Sequence, residues 1–262
     1  MIEYTWDDLE YEIAATMEAG LPVAFWWRDD DAADDTPALR QLGALAASEG
    51  VPVAIAAIPA SLTDEGAARL SSMDEAVILQ HGYAHTNHAG PSEKKQELGA
   101  HRPASEVWAE LQTGWSTLET ALEAKAMPVL APPWNRISDD VVAGLADAGY
   151  SGLSQYEARR TPMAAPGLTR ANAHVDLIDW KGTRRFVGTG AALALACQHL
   201  ADKRAGRVDA SEPTGLLTHH LVMDMSAWAF AGAFIRRTKA LPGVTWPAIA
   251  GIFAPEGGPG DT

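Results

Sequence analysis

A single cysteine, Cys197, is all that the 262 residues contain. An internal disulfide framework is therefore excluded, and the chain suits a reducing compartment or is indifferent to redox state. Cys197 lies in an Ala/Leu-rich stretch and reads as core filler. Positive charge is scarce too: 20 Lys and Arg stand against 34 Asp and Glu, for a formal net charge of -14. No Lys/Arg-rich stretch occurs, so neither nucleic acid nor an anionic membrane is an expected partner. No apolar run nears the roughly 18 residues needed to span a bilayer. The N-terminus, Met1-Ile-Glu-Tyr-Thr-Trp-Asp-Asp, lacks the basic and apolar regions of a secretory signal. A cytoplasmic protein is the expectation. Internal repeats and linkers are also lacking, which leaves one domain over residues 1–262.

Apolar residues make up 47% of the chain, ample for a sizeable core. Seven short apolar runs read as strands, at 22–28, 51–58, 76–80, 127–131, 150–155, 174–179 and 215–218. Helical patterns separate most of them, at 6–19, 37–48, 63–71, 105–126, 138–148, 190–205 and 226–240. Thr63, Ser105 and Ser138 read as N-caps. This alternation predicts an α/β fold of parallel β/α units, either a barrel or an open doubly wound sheet. The Gly/Pro-rich tail after Pro255 reads as frayed.

The stretch Trp26-Trp27-Arg28-Asp29-Asp30-Asp31 ends the first of these strands. Three adjacent carboxylates repel one another, so a cation or a basic neighbour should compensate them. Alone, the triplet would read as a solvated acidic turn. His81 and His85, four residues apart, follow the third strand, and imidazole with carboxylate is a usual ligand set for zinc and similar ions. Trp134 and Asn135, Asp179 and Trp180, and His219 each follow an apolar run. The carboxyl ends of parallel strands share one face, and that face carries the site. His88, His101, His174 and His199 read as structural or surface residues, His220 as a supporting residue, and Asp31 as a turn residue.

Taken in order, these stretches resemble the motifs of the polysaccharide deacetylase family, the NodB-homology or carbohydrate esterase 4 type. The resemblance covers about residues 20–225. It implies a distorted (β/α)7 barrel of NodB-like form. It implies Asp29 as catalytic base, and Asp30, His81 and His85 as ligands of one divalent metal ion, zinc first, with cobalt and manganese as alternatives. Pro132-Pro133-Trp134 matches a third motif, which makes Pro133 and Trp134 substrate-binding residues. The arginine that the family carries there is Ala131 here; Arg28, Arg102 or Arg136 are candidates to replace it. Asp176-Leu-Ile-Asp179-Trp180 matches a fourth motif, and Leu216-Leu217-Thr218-His219 a fifth, which ends in the acid histidine. Asp179 is expected beside His219, and Trp180 against it or against an acyl methyl.

The implied reaction is hydrolysis of an N-acetyl or similar acyl group on an amino sugar or saccharide conjugate, with a small-molecule or oligosaccharide substrate. The metal would activate a water, Asp29 would take its proton, and His219 would protonate the leaving amine. Two other readings stand beside this one. The first is an amidohydrolase of the same fold that opens an imide, ureide or formamide bond. The second is a non-catalytic sugar- or metal-binding barrel.

Overall fold

Trp26, Arg28 and Asp30 alternate with Phe25, Trp27 and Asp29 along β1 (Phe25–Ala32), and this alternation separates the two layers of the fold. Phe25 and Trp27 pack outward with Leu9, Ile13 and Phe234, residues of the surrounding helices. Trp26 packs inward with Ala54, Ala56, Leu79, Val129 and Ala131. Small residues on the inner face of the sheet leave room for the large indole. Gly215 faces the same crowding: a side chain there would lie 2.6 Å from the Trp26 indole nitrogen and 2.7 Å from the Asn172 carbonyl. The computed structural model describes residues 3–254, so the tail after Pro255 lies outside the described residues.

The other strands are β2 (Val53–Ala57), β3 (Ala76–Gln80), β4 (Ala126–Leu130), β5 (Gly152–Leu153), β6 (Met163–Ala165), β7 (Leu168–Arg170), β8 (Val175–Asp176) and β9 (Thr214–Thr218). They form one sheet in the order β6-β7-β5-β4-β3-β2-β1-β9-β8, parallel except for the β6/β7 pair. A single parallel bridge, Tyr156 with Ala173, joins the chain after β5 to the chain before β8. The Ala173 N–H donates to the Gln155 carbonyl at 2.9 Å, and the Glu157 N–H to that of Ala173 at 3.1 Å. Through this bridge β1, β2, β3, β4, β5, β8 and β9 make the distorted seven-stranded ring that the resemblance implies. The β6/β7 hairpin branches from β5 and is new; its three-residue strands, set around Pro166-Gly167, are too short for any periodicity to show.

The helices around the ring are α1 (Trp6–Glu18), α2 (Pro37–Glu49), α3 (Asp64–Ser71), α4 (Ala104–Leu122), α5 (Asp139–Ala143), α6 (Thr189–Arg204), α7 (Met225–Lys239) and α8 (Ile249–Ile252). Thr63 caps α3 through its hydroxyl, as expected, but Ser105 lies inside α4 and Ser138 makes no capping bond. The expected helix over 138–148 keeps its regular form only to Ala143. No helix among the described residues is long and apolar enough to cross a membrane.

A buried polar cluster sits at the amino end of β9, away from the aspartate triplet. Glu212 accepts hydrogen bonds from the Arg159 N–H (2.7 Å), the Asn172 N–H (2.9 Å) and His174 Nε2 (3.2 Å). His174 Nδ1 accepts from the Gly215 N–H at 2.9 Å, which places its proton on Nε2 and makes it a donor rather than a metal ligand. His199 stacks on His174 at 3.6 Å. Burial disfavours ionisation of Glu212, but the bond from His174, the nearby His199 and the backbone N–H of Arg159 outweigh it and lower its carboxyl to about 2. Burial and the neighbouring His174 lower His199 to about 4. Both folded values lie below the ordinary ones, 4.5 and 6.5. Unfolding therefore takes up protons in acid: the stability is present above these ordinary values and is lost as pH falls toward the folded ones. Glu212→Gln, which takes a charged acceptor away from three buried donors, should cost about 2 kcal/mol at neutral pH. It should also flatten the loss of stability between pH 6 and 3 in urea unfolding. An acid limb as steep as that of the unmodified protein would refute this account.

Candidate functional site

The carboxyl ends of β1, β3, β8 and β9 bring the polar residues together. The strand parity described above fixes what each aspartate meets. Asp30 lies on the inner face two residues from Arg28, and Arg28 grips it with both arms: Nε to Oδ1 at 2.9 Å and a terminal nitrogen to Oδ2 at 2.8 Å. Arg28 is fully buried. Its remaining donors go to the Ser154 carbonyl and hydroxyl (3.0 and 2.8 Å), the Gln155 carbonyl (3.1 Å) and Asn135 Oδ1 (2.6 Å). Arg102 is paired with Glu110, and Arg136 donates to the Lys95 carbonyl. Of the three candidates for the arginine missing at Ala131, Arg28 is the one paired with an aspartate of the triplet.

Asp29 falls on the outer face and is spent there. Its Oδ1 meets His220 Nδ1 at 2.5 Å, and its Oδ2 accepts from the Thr218 hydroxyl (2.6 Å) and the His220 N–H (3.1 Å). The Trp27 indole in turn donates to Thr218 at 2.8 Å. The resemblance implies Asp29 as base and Asp30 as the ligand beside the histidines; the structure instead sets Asp31 beside the histidines and ties Asp29 to His220 and Thr218. The register of β1 against β2 shifts between Asp29 and Ala32, and Asp31 takes a left-handed φ of 77°. This irregularity turns Asp31, rather than Asp30, toward His81 and His85.

Asp31 Oδ1 lies 3.2 Å from His81 Nε2 and 3.4 Å from His85 Nε2. Ligand atoms of the three residues all lie within 4.8 Å of one another. Edges near these lengths are those of a tetrahedral shell with zinc bonds of about 2.0–2.2 Å. The tautomer agrees. His81 Nδ1 is 2.8 Å from the Ala131 carbonyl, which can only accept, so Nδ1 carries a proton and Nε2 is the nitrogen that faces the carboxylate. A nitrogen and an oxygen this close call for a cation between them, a proton on Nε2 or a metal ion. Burial works against a charge on His81, yet Asp30 and Asp31 outweigh it and raise its proton affinity. Burial likewise opposes ionisation of Asp31, and His81 with His219 and His85 overcomes it and holds the carboxyl low. The donor set fits a divalent metal.

Glu97 was not singled out by the sequence, yet it is buried and holds the histidine turn. Its carboxylate accepts from the N–H groups of Tyr83 (3.2 Å), Ala84 (2.8 Å) and Thr86 (3.4 Å). Gly82 has a φ of +61°, and a side chain there would collide with Glu97 and with the buried ring of Pro133. Pro133 thus packs under the histidine turn. Trp134 and Asn135 follow with left-handed φ values of 54° and 58°. Such conformations cost non-glycine residues about 1–3 kcal/mol each and concentrate at functional sites. The Trp134 ring lies 4.4 Å from that of His85, and its N–H has no acceptor among the described residues.

His219 Nε2 is 3.9 Å from Asp30 Oδ2, and Nδ1 is 4.0 Å from Asp176 Oδ1. Asp176, not the expected Asp179, is the carboxylate beside this histidine. Burial raises Asp176 above the usual carboxylate range, against the pull of His219. The Trp180 indole donates to Asp176 at 2.9 Å and meets the His219 ring edge-on at 4.7 Å. Asp179 instead closes a turn, accepting from the Gly182 and Thr183 N–H groups, each at 2.9 Å.

Neither a family model nor a curated protein matches the chain. Solved structures do. A provisionally assigned polysaccharide deacetylase from Mycobacterium smegmatis aligns with a TM-score of 0.67 at 16% identity, over 97% of this chain and 92% of that one. A carbohydrate esterase 4 enzyme of Streptococcus mutans gives 0.56 at 14% identity, over 93% and 92%. A mutant of a pseudoenzyme of the same esterase family, with restored activity, gives 0.57 at 16% identity, over 89% and 68%. At these identities the likeness is one of architecture: the chain has the fold of the carbohydrate esterase 4 type of polysaccharide deacetylase.

Proposed function

We propose that the protein is a metal-dependent hydrolase that removes an N-acetyl or similar acyl group from an amino sugar or saccharide conjugate. The observation that carries this reading is the convergence of Asp31, His81 and His85 on one point, with the Asp30–Arg28 pair and His219 beside it. Asp31, His81 and His85 would hold the metal, zinc first. Bound there, it would supply Lewis acidity for the acyl carbonyl and activation of a water.

The protein's own groups do the rest. Asp30 is the base. Burial opposes its ionisation, but Arg28, His81 and His219 outweigh that and keep its carboxyl below the usual range, so it is ready to accept a proton near neutral pH. Arg28 holds both of its oxygens and so fixes its aim. The Trp134 N–H, fixed by the strained turn, is a donor for the oxygen that gains charge on attack. His219 hands a proton to the leaving nitrogen, and Trp180 and Asp176 confine its ring. Asp29 with His220 braces β1 against β9 below these groups.

The test is acetate release from N-acetylglucosamine and its oligomers, alongside a panel of cyclic amides, with zinc, cobalt or manganese supplied. Acetate release that stops on chelation is the expected result. A chain that binds metal yet releases nothing from any N-acetyl sugar would overturn the proposal, and turnover of a cyclic amide alone would move it to the amidohydrolase class.

A further inference from the structure

The turn that Asp179 closes carries three cations in five residues: Lys181, Arg184 and Arg185, in the run Trp180-Lys181-Gly182-Thr183-Arg184-Arg185. All three are exposed. None has a carboxylate within 4.0 Å among the described residues, whereas Arg40, Arg69, Arg102, Arg159, Arg204 and Arg207 do. In a chain of net charge -14, with carboxylates in excess, these three form a local concentration of positive charge. Asp179 offsets one of the three charges, but both its oxygens are committed to backbone N–H groups.

The turn is rigid and stands at the site. An antiparallel bridge pairs Ile178 with Phe186, the Asp179 N–H donates to the Arg185 carbonyl at 2.9 Å, and the Arg184 N–H to that of Asp179 at 2.8 Å. A side chain at Gly182 would strike the Asp179 carboxylate. Arg184 is held at a left-handed φ of 54°. Trp180, on the same turn, is 42% exposed while it touches His219, so its open face lies at the mouth beside the proposed acid. The other rim repeats the combination: Lys95 Nζ lies 5.7 Å from the centre of the Trp134 ring, which itself packs on His85. An exposed indole suits a sugar face, and guanidinium and ammonium groups carried on a fixed backbone turn suit phosphate or carboxylate oxygens.

We infer that the substrate is an amino sugar bearing an anionic substituent, a phosphate or a carboxylate, bound by Lys181, Arg184 and Arg185 next to Trp180. This rests on the deacetylase reading of the same site. At this rim the three cations offset the protein's overall negative field, which would otherwise repel such a substrate.

The test separates binding from turnover. Glucosamine, glucosamine 6-phosphate and muramic acid carry no acetyl group, so their binding to the zinc-loaded protein can be followed by calorimetry without reaction. An anionic sugar should bind at least about 10-fold more tightly than glucosamine. Comparing the two anionic sugars tells phosphate from carboxylate. The triple variant Lys181→Gln, Arg184→Gln, Arg185→Gln should erase the difference while its far-ultraviolet circular dichroism is unchanged. Equal binding of all three sugars overturns the inference, as does a preference that survives in the triple variant. So does turn-dependent binding to phosphatidylglycerol vesicles without any sugar preference, which would assign the cations to a membrane. If the preference is found but no N-acetyl compound is turned over, the anion site stands and the deacetylase reading fails.

Discussion

Asp31→Asn should strip the metal from the protein, and Asp30→Asn should leave it in place while lowering kcat by roughly 10²-fold or more. Elemental analysis of the purified variants beside a rate measurement reads both at once. Asp31 is the carboxylate within 3.4 Å of both histidine Nε2 atoms, so amidation removes a charged ligand from the trio. Asp30 is turned to Arg28 and His219 instead. Amidation there removes the proton acceptor without touching the trio. Metal lost from Asp30→Asn and kept by Asp31→Asn would reverse the assignment. Arg28→Lys carries the same logic into pH dependence. A lysine cannot bridge both Asp30 oxygens. Burial then weighs more, the Asp30 pKa rises, and the acidic limb of kcat/KM moves to higher pH. A limb that stays in place would mean that Arg28 does not govern the base.

The two adjacent histidines that follow β9 should fail in different ways. His219→Ala is expected to lower turnover by roughly 10²-fold or more with metal content and unfolding midpoint unchanged, because its ring touches reacting groups and holds nothing up. His220→Ala should leave Asp29 buried without its partner, a loss of about 3–5 kcal/mol visible in denaturant unfolding. An activity loss in His220→Ala at full stability, with His219→Ala active, would exchange the two roles.

Much of this was legible in the chain itself. The seven ring strands, the helices between them and the strand-end position of the site all follow from apolar runs broken by helical patterns. His81, His85 and Trp134 stand together, and Trp180 packs against His219. The one-residue error in the aspartate triplet had a readable cause. Trp26, Arg28 and Asp30 share a strand parity, and an arginine two residues before an aspartate faces the same way, so Arg28 already pointed to Asp30. What parity cannot give is the irregularity that turns Asp31 into the mouth, since it depends on the pairing of β1 with β2. Asp176 and Asp179 are both acidic residues of one motif, and only the end of β8 at Asp176 decides which one reaches His219. Glu97 lies in an irregular polar segment with no periodic signal, and its role emerges only from the backbone amides it collects.

The pairing of β1 with β9 joins Asp29 to Thr218 across 189 residues of chain. Asp31 on β1 and His81 and His85 just after β3, by contrast, belong to three strands, β1 to β3, that are neighbours both in sequence and in the sheet. On a translating ribosome these three residues emerge early. At roughly 5–20 residues per second, His219 follows on the order of ten seconds later. The three proposed ligands can therefore all be present on a nascent chain that has neither the proposed acid nor the brace under Asp29. An early-captured ion would then serve as a folding template, drawing β1 and β3 into register before the long-range closure with β9, the slow step by topology, takes place.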